Sequence, residues 1–171
     1  MTSRRAFLMS SLAATALASS PLGAASALAQ SQGPIGSIHV DVSRLVAQGW
    51  GPNADAIKAG MERELRTAFA GAIQRGGPVL VVKVRGIHLT SYAGGGSGSG
   101  RWGGGGGQNN DNLDSEAVLV GTGNRVLASY PVLSTISASY SGPWYLPDID
   151  QRRIVSLIQN NVAWIRRYIA G

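Results

Sequence analysis

Cysteine is missing from this 171-residue sequence, so no disulfide can brace its core and no lipid can be attached through a cysteine. Histidine occurs twice, and neither copy stands in a metal-ligand spacing such as H-E-x-x-H. No serine lies in G-x-S-x-G, and no nucleophile is tied by motif to a base, which leaves hydrolase chemistry without support. Charged residues make up only 14% of the chain, and its Lys and Arg are scattered; no block is dense enough to track a nucleic-acid backbone. Beyond the amino terminus there is no apolar run of the ~20 residues that a spanning helix needs, so the remainder is expected to be soluble.

The amino terminus has the pattern of a targeting segment. Arg4 and Arg5 sit within Ser3-Arg4-Arg5-Ala6-Phe7-Leu8, a mild apolar stretch follows from Leu12 to Ala18, and Ala27-Leu28-Ala29 forms an A-x-A cleavage site. This is a twin-arginine export signal over 1–29, with cleavage expected after Ala29 and delivery to a bacterial periplasm or beyond. An amino-terminal membrane anchor is the alternative, but the apolar stretch is short and diluted by Ser and Thr. Without Arg4 and Arg5 the formal charge falls from +6 to +4. Residues 30–36 read as a mature amino-terminal tail, and 37–171 as one domain large enough for a real core.

Within that domain, Ser37 to Leu45 alternates, with Ile38, Val40 and Val42 on one face, and predicts a half-buried first strand. Gly49-Trp50-Gly51-Pro52 breaks it. From Asn53 onward, Ile57, Met61, Leu65 and Phe69 recur at helical spacing and predict an amphipathic helix that ends at Gly76-Gly77-Pro78. Pro78 to Tyr92 is the longest β-type run: Leu80, Val82 and Val84 share one face, and Gly86 marks a bulge after which Ile87 and Leu89 face inward. Strand, helix and strand in this order predict a parallel crossover.

Ala93 to Leu113 is so rich in glycine that a mobile loop is expected over 93–113. Asp114 to Val120 and Arg125 to Ile136 predict a hairpin around Gly121-Thr122-Gly123-Asn124. Pro131 cannot donate to a ladder, which makes the second arm an edge strand or breaks it. A last helix starts at Asp148 or Asp150 with Ile154, Leu157, Ile158, Ile165 and Ile169 as its stripe; Asn161 beside that stripe is locally inconsistent. The fold class expected is α+β: a two-layer sandwich in the order β-α-β-β-β-α, with a four-stranded mixed sheet and two helices on one face. The open face would carry His39, Asp41, Lys83, Arg85 and His88.

Four candidate sites follow. Gly98-Ser99-Gly100-Arg101-Trp102-Gly103 matches G-x-G-x-x-G, but more glycine stands where the dinucleotide fingerprint needs a helix amino terminus, so no cofactor is implied. Gly106 to Asp114 approximates one copy of the calcium nonapeptide, in which Asp111, Asp114 and Glu116 are weak metal candidates; a polar loop with an acidic strand start is the plainer reading. His39, Asp41 and His88 could form a metal site or an acid-base pair if they converge; otherwise they are surface residues of a solvated strand face. Trp102, Tyr140, Trp144 and Tyr145 lie in Gly-rich or Pro-rich loops and are candidate contact residues, with Trp144 or Leu146 alternatively a lid on the core.

The strand-helix-strand-strand-strand-helix order, and the hairpin from Glu116 to Pro131 that turns at Gly123-Asn124 and returns as Arg125-Val126-Leu127-Ala128, resemble small periplasmic α/β modules: the TolB amino-terminal domain and the auxiliary lipoproteins of ABC-type transport. The resemblance implies a non-enzymatic envelope role through protein contacts, often by strand addition at a sheet edge. It carries over no functional residue. The expectation is an exported, non-catalytic accessory or binding module with an unidentified envelope protein as partner. The alternative is a periplasmic ligand- or metal-binding protein or enzyme built on His39, Asp41 and His88.

Overall fold

A computed structural model describes residues 34–91 and 110–170 of the chain. The export signal, residues 93–109 of the expected loop with Trp102 and the G-x-G-x-x-G match, and the first four residues of the calcium-like nonapeptide lie outside the described residues. The described residues fall in one compact unit. It is α+β, with a four-stranded mixed sheet whose strands lie side by side in chain order and helices packed on it, consistent with a two-layer sandwich.

The strands are β1 (Ser37–Asp41), β2 (Val79–His88), β3 (Asn110–Val120) and β4 (Val126–Ser137). β1 pairs with β2 in parallel, and the other two pairings are antiparallel. The helices are α1 (Ser43–Ala47), α2 (Pro52–Ala68) and α3 (Ile149–Ala170). The inward side chains of β2, Leu80, Val82 and Val84, meet Leu113, Ala117 and Leu119 of β3 and the stripes Ile57, Met61 and Leu65 of α2 and Leu157, Ile158 and Ile165 of α3. Burying such side chains at about 1.5–3 kcal/mol each is what holds the layers together. The bulge lies between Val84 and Gly86, and Ile87 returns to the core side opposite Leu113. After α2 the chain comes back so tightly past Pro34 that a Cβ on Gly77 would overlap the Pro34 carbonyl oxygen, which is why glycine stands there. The β3–β4 turn uses Gly123 and Asn124 at φ 69° and 59°, the left-handed region these residues tolerate best.

Three boundaries differ from expectation: the end of β1, the start of β3 and the end of α2, which stops at Ala68 and not at Gly76. β1 stops at Asp41 because the Asp41 carboxylate accepts the Ser43 backbone N–H at 2.9 Å, which turns the chain into α1. Leu45, expected on the strand, is fully buried from that helix. The Gln48 side chain at the end of α1 donates to the Arg85 carbonyl and ties α1 to the bulge of β2. β3 starts at Asn110 and takes in residues expected within the loop. Asp111 points inward, and its carboxylate is held by Arg153 of α3. β4 runs unbroken through Pro131 as the edge strand of the sheet.

Candidate functional site

Opposite the helices, the sheet presents a polar face built from alternate residues of four strands. Asp41, Lys83 and Glu116 form one cross-strand row through the pairs Asp41↔Lys83 and Lys83↔Glu116. A second row joins Arg85 to Asp114 by two hydrogen bonds, at 3.1 and 2.7 Å. A third runs from His88 through Asn112 to Thr135, whose hydroxyl donates to the Asn112 side chain at 2.7 Å. Ser129 donates to Glu116 at 2.6 Å. The Asp41 carboxyl is held below its usual range, first by the Ser43 backbone hydrogen bond, then by the Ser43 side chain and more weakly by the charges of His39 and Lys83; partial burial opposes these.

His39 and His88 share this face but do not meet. His39 pairs with Val81, seven positions before His88 on β2, a separation on the order of 20 Å at the rise of a strand. Asp41 stands near His39 and takes part in the turn into α1. The acid-base or metal constellation therefore lacks the convergence it requires. Asp111, Asp114 and Glu116 are divided between the two faces of β3: Asp111 is fully buried under α3, while Asp114 and Glu116 lie on the polar face. Three carboxylates so divided cannot share an ion. Among the described residues no group of three or more His, Cys, Asp or Glu could hold a metal.

The aromatic candidates come together differently. After β4, the chain makes a 3-10 turn over Ala138–Ser141 and then a loop from Gly142 to Asp148. Gly142 takes φ 120°, closed to most side chains, and the Leu146 N–H reaches back to the Pro143 carbonyl at 3.2 Å. The Ser141 hydroxyl donates to Ser156 of α3 at 3.0 Å, and the Ile149 N–H bonds the Leu146 carbonyl. Arg152 pairs with Asp148 at 2.8 Å where α3 begins. The loop is thus tied at both ends to α3, while Tyr140, Trp144 and Tyr145 are 76%, 66% and 69% exposed. Trp144 and Tyr145 pack edge to face with ring centroids 6.0 Å apart. Trp144 does not lid the core. Leu146 is half-buried, with its Cδ1 3.3 Å from where a Gly142 Cβ would stand.

A second aromatic cluster went unread as a unit. Tyr130 of β4 stacks on Tyr168 of α3 at 5.9 Å, Tyr168 on Trp164 at 6.1 Å, and the Arg167 guanidinium lies 5.3 Å over the Trp164 ring. The i, i+4 spacing of Trp164 and Tyr168 was the available signal; Tyr130 joins them only through the tertiary fold.

Among the described residues no helix is long and apolar enough to cross a membrane. No protein-family model matches the chain, and neither does any curated protein.

Proposed function

We propose that this chain is an exported, non-catalytic binding module of the bacterial envelope that contacts a protein partner through the loop bearing Tyr140, Trp144 and Tyr145. The observation that carries the reading is the exposure of three large aromatic side chains on the short turn and loop between β4 and α3, which the Ser141–Ser156 side-chain hydrogen bond ties to α3. Single exposed apolar residues are ordinary, but clustered aromatics on a braced loop supply contact area at little entropic cost. The twin-arginine pattern at Arg4 and Arg5 supports export of the folded protein.

A photo-crosslinking residue introduced at position 144, and separately at position 39 on the polar face, tests this in cells. The expected result is a discrete adduct from position 144, recovered in the periplasmic or envelope fraction and lost when Tyr140 and Tyr145 are changed to Ala. Absence of any discrete adduct from position 144, or the same adduct from both positions, would overturn the reading.

A further inference from the structure

We infer that the trough between α2 and α3 is the second half of the contact surface, and that it receives an amphipathic helix of the partner whose carboxylate meets Arg63. This rests on the reading of the aromatic loop as a contact site and specifies what the partner presents to it.

The floor of the trough follows from Gly60. A Cβ at that position would stand 3.3 Å from the Ile158 Cδ1, so the two helices approach closely there and leave a furrow on their outer side. Three hollows follow one another along α3, of which only the second and third have residues of α2 in their walls. The first is bordered by Ser141 and Asp148, beside the aromatic loop, and by Gln151 and Val155. The second, of about 280 Å³, shares Gln151 and Val155 with the first and adds Ile154, Ile158, Gly60 and Arg63. The third lies between Ala68 and Ala163 and reaches Arg166. From Gln151 to Arg166 the part walled by both helices is roughly 23 Å long at 1.5 Å per helical residue. That length suits a helix laid into a groove, whereas a compact small molecule would fill a single hollow.

Charge selects the occupant. Asp148, at the loop end, is already matched by Arg152. Glu64 and Arg166 border the same third hollow. The middle hollow has no carboxylate in its lining, and Arg63 extends over it, with its Nη2 3.9 Å from where a Gly60 Cβ would stand. No ion pair of Arg63 is found among the described residues. A guanidinium over an apolar floor of Ile154, Val155 and Ile158 is complementary to an apolar stripe flanked by one acid. A second copy of this chain fits less well, since two identical troughs placed face to face bring Arg63 towards Arg63.

The test uses two labelled 18-residue synthetic helices with the same leucine stripe, one carrying Glu and the other Lys at a central flanking position, titrated by fluorescence anisotropy against the purified exported protein. The Glu helix is expected to bind about tenfold more tightly, the ratio that one partly desolvated ion pair supplies. Arg63→Glu should reverse the preference, and Val155→Asp should weaken both helices. Both positions are exposed on helix surfaces, so circular dichroism should show both variants folded. Failure of either helix to saturate by about 1 mM, or a preference unmoved by Arg63→Glu, overturns the inference. Crosslinking from position 144 that persists in the Arg63→Glu variant, together with either of those results, would leave the aromatic-loop reading standing and remove only the trough.

Discussion

Asp111 and Asp114 stand three residues apart on β3, each bound to an arginine, and the two faces of the sheet give them different roles. Asp111 faces α3 with 0% of its side chain exposed, against 2% for Arg153. Arg153 also donates to Asp150 at 2.9 Å and to the Thr90 carbonyl at 2.7 Å, while Asp111 accepts the Thr90 backbone N–H at 3.0 Å. The Thr90 hydroxyl closes the ring on the Asn110 carbonyl. This clasp joins Thr90, two residues past β2, to the start of β3 and the beginning of α3. Asp114, on the open face, makes a pair with Arg85 in which the side chains are 43% and 34% exposed. Strand alternation assigns the aspartates to opposite faces, and burial decides what each pair is worth. The buried one has paid desolvation and depends on all its partners; water shares the outer one.

The comparison breaks most clearly on the buried side. Asp111→Ala should destabilise the protein by about 3–5 kcal/mol in urea unfolding, because Arg153 loses its buried carboxylate partner and keeps only the largely exposed Asp150 as counter-charge. The paired change Asp111→Leu with Arg153→Met should recover much of that loss, since it removes both charges together. A single substitution costing under about 1 kcal/mol would mean that water reaches the clasp and that the two pairs are alike.

On the outer face, Arg85→Ala or Asp114→Ala should each cost about 0–1 kcal/mol, and the cost should shrink as salt is raised from low ionic strength to about 1 M. The clasp variants should show little of that salt dependence. A salt-insensitive loss on the outer face would place Arg85 and Asp114 in a drier setting than their exposure indicates.

The same contrast explains what could be read from the sequence. Alternation in Leu80, Val82 and Val84, the glycine at the bulge and the helical stripes of α2 and α3 are local signals, and they yield the sheet, its helical layer and the polar face. The start of β3 is not local. Asn110-Asp111-Asn112 looks like loop, and Arg153, 42 residues away, with the Thr90 N–H, holds Asp111 inward as a strand residue. Asn161 is similar: it accepts from the Ser115 hydroxyl at 2.8 Å and donates to Ser134 at 3.1 Å, so its place among buried apolar residues depends on two strands that helical periodicity cannot reveal. The aromatic loop was legible from its composition, because exposure there needs no distant partner. The proposed histidine site failed on distance along the strand, a quantity that face assignment alone does not contain.

Asp41 gives the smallest and most specific test, because its charge acts at the boundary between β1 and α1. Its carboxyl is held below the usual range chiefly by the Ser43 backbone N–H. A group whose folded pKa lies below its unfolded value of about 3.9 adds stability that is present above that pH and fades as pH falls through the folded pKa. Asp41→Asn retains an oxygen for the Ser43 N–H but cannot titrate; Asp41→Ala keeps neither. The difference in Tm between wild type and Asp41→Asn should therefore be level from about pH 5 to 7 and close towards zero below about pH 4. Against Asp41→Ala, part of the difference should persist in acid, because a protonated carboxyl still offers its carbonyl oxygen to Ser43. If the Asn difference instead stays constant down to about pH 2, the turn is held by hydrogen-bond geometry alone, and the charges of His39 and Lys83 across the open face contribute nothing to it.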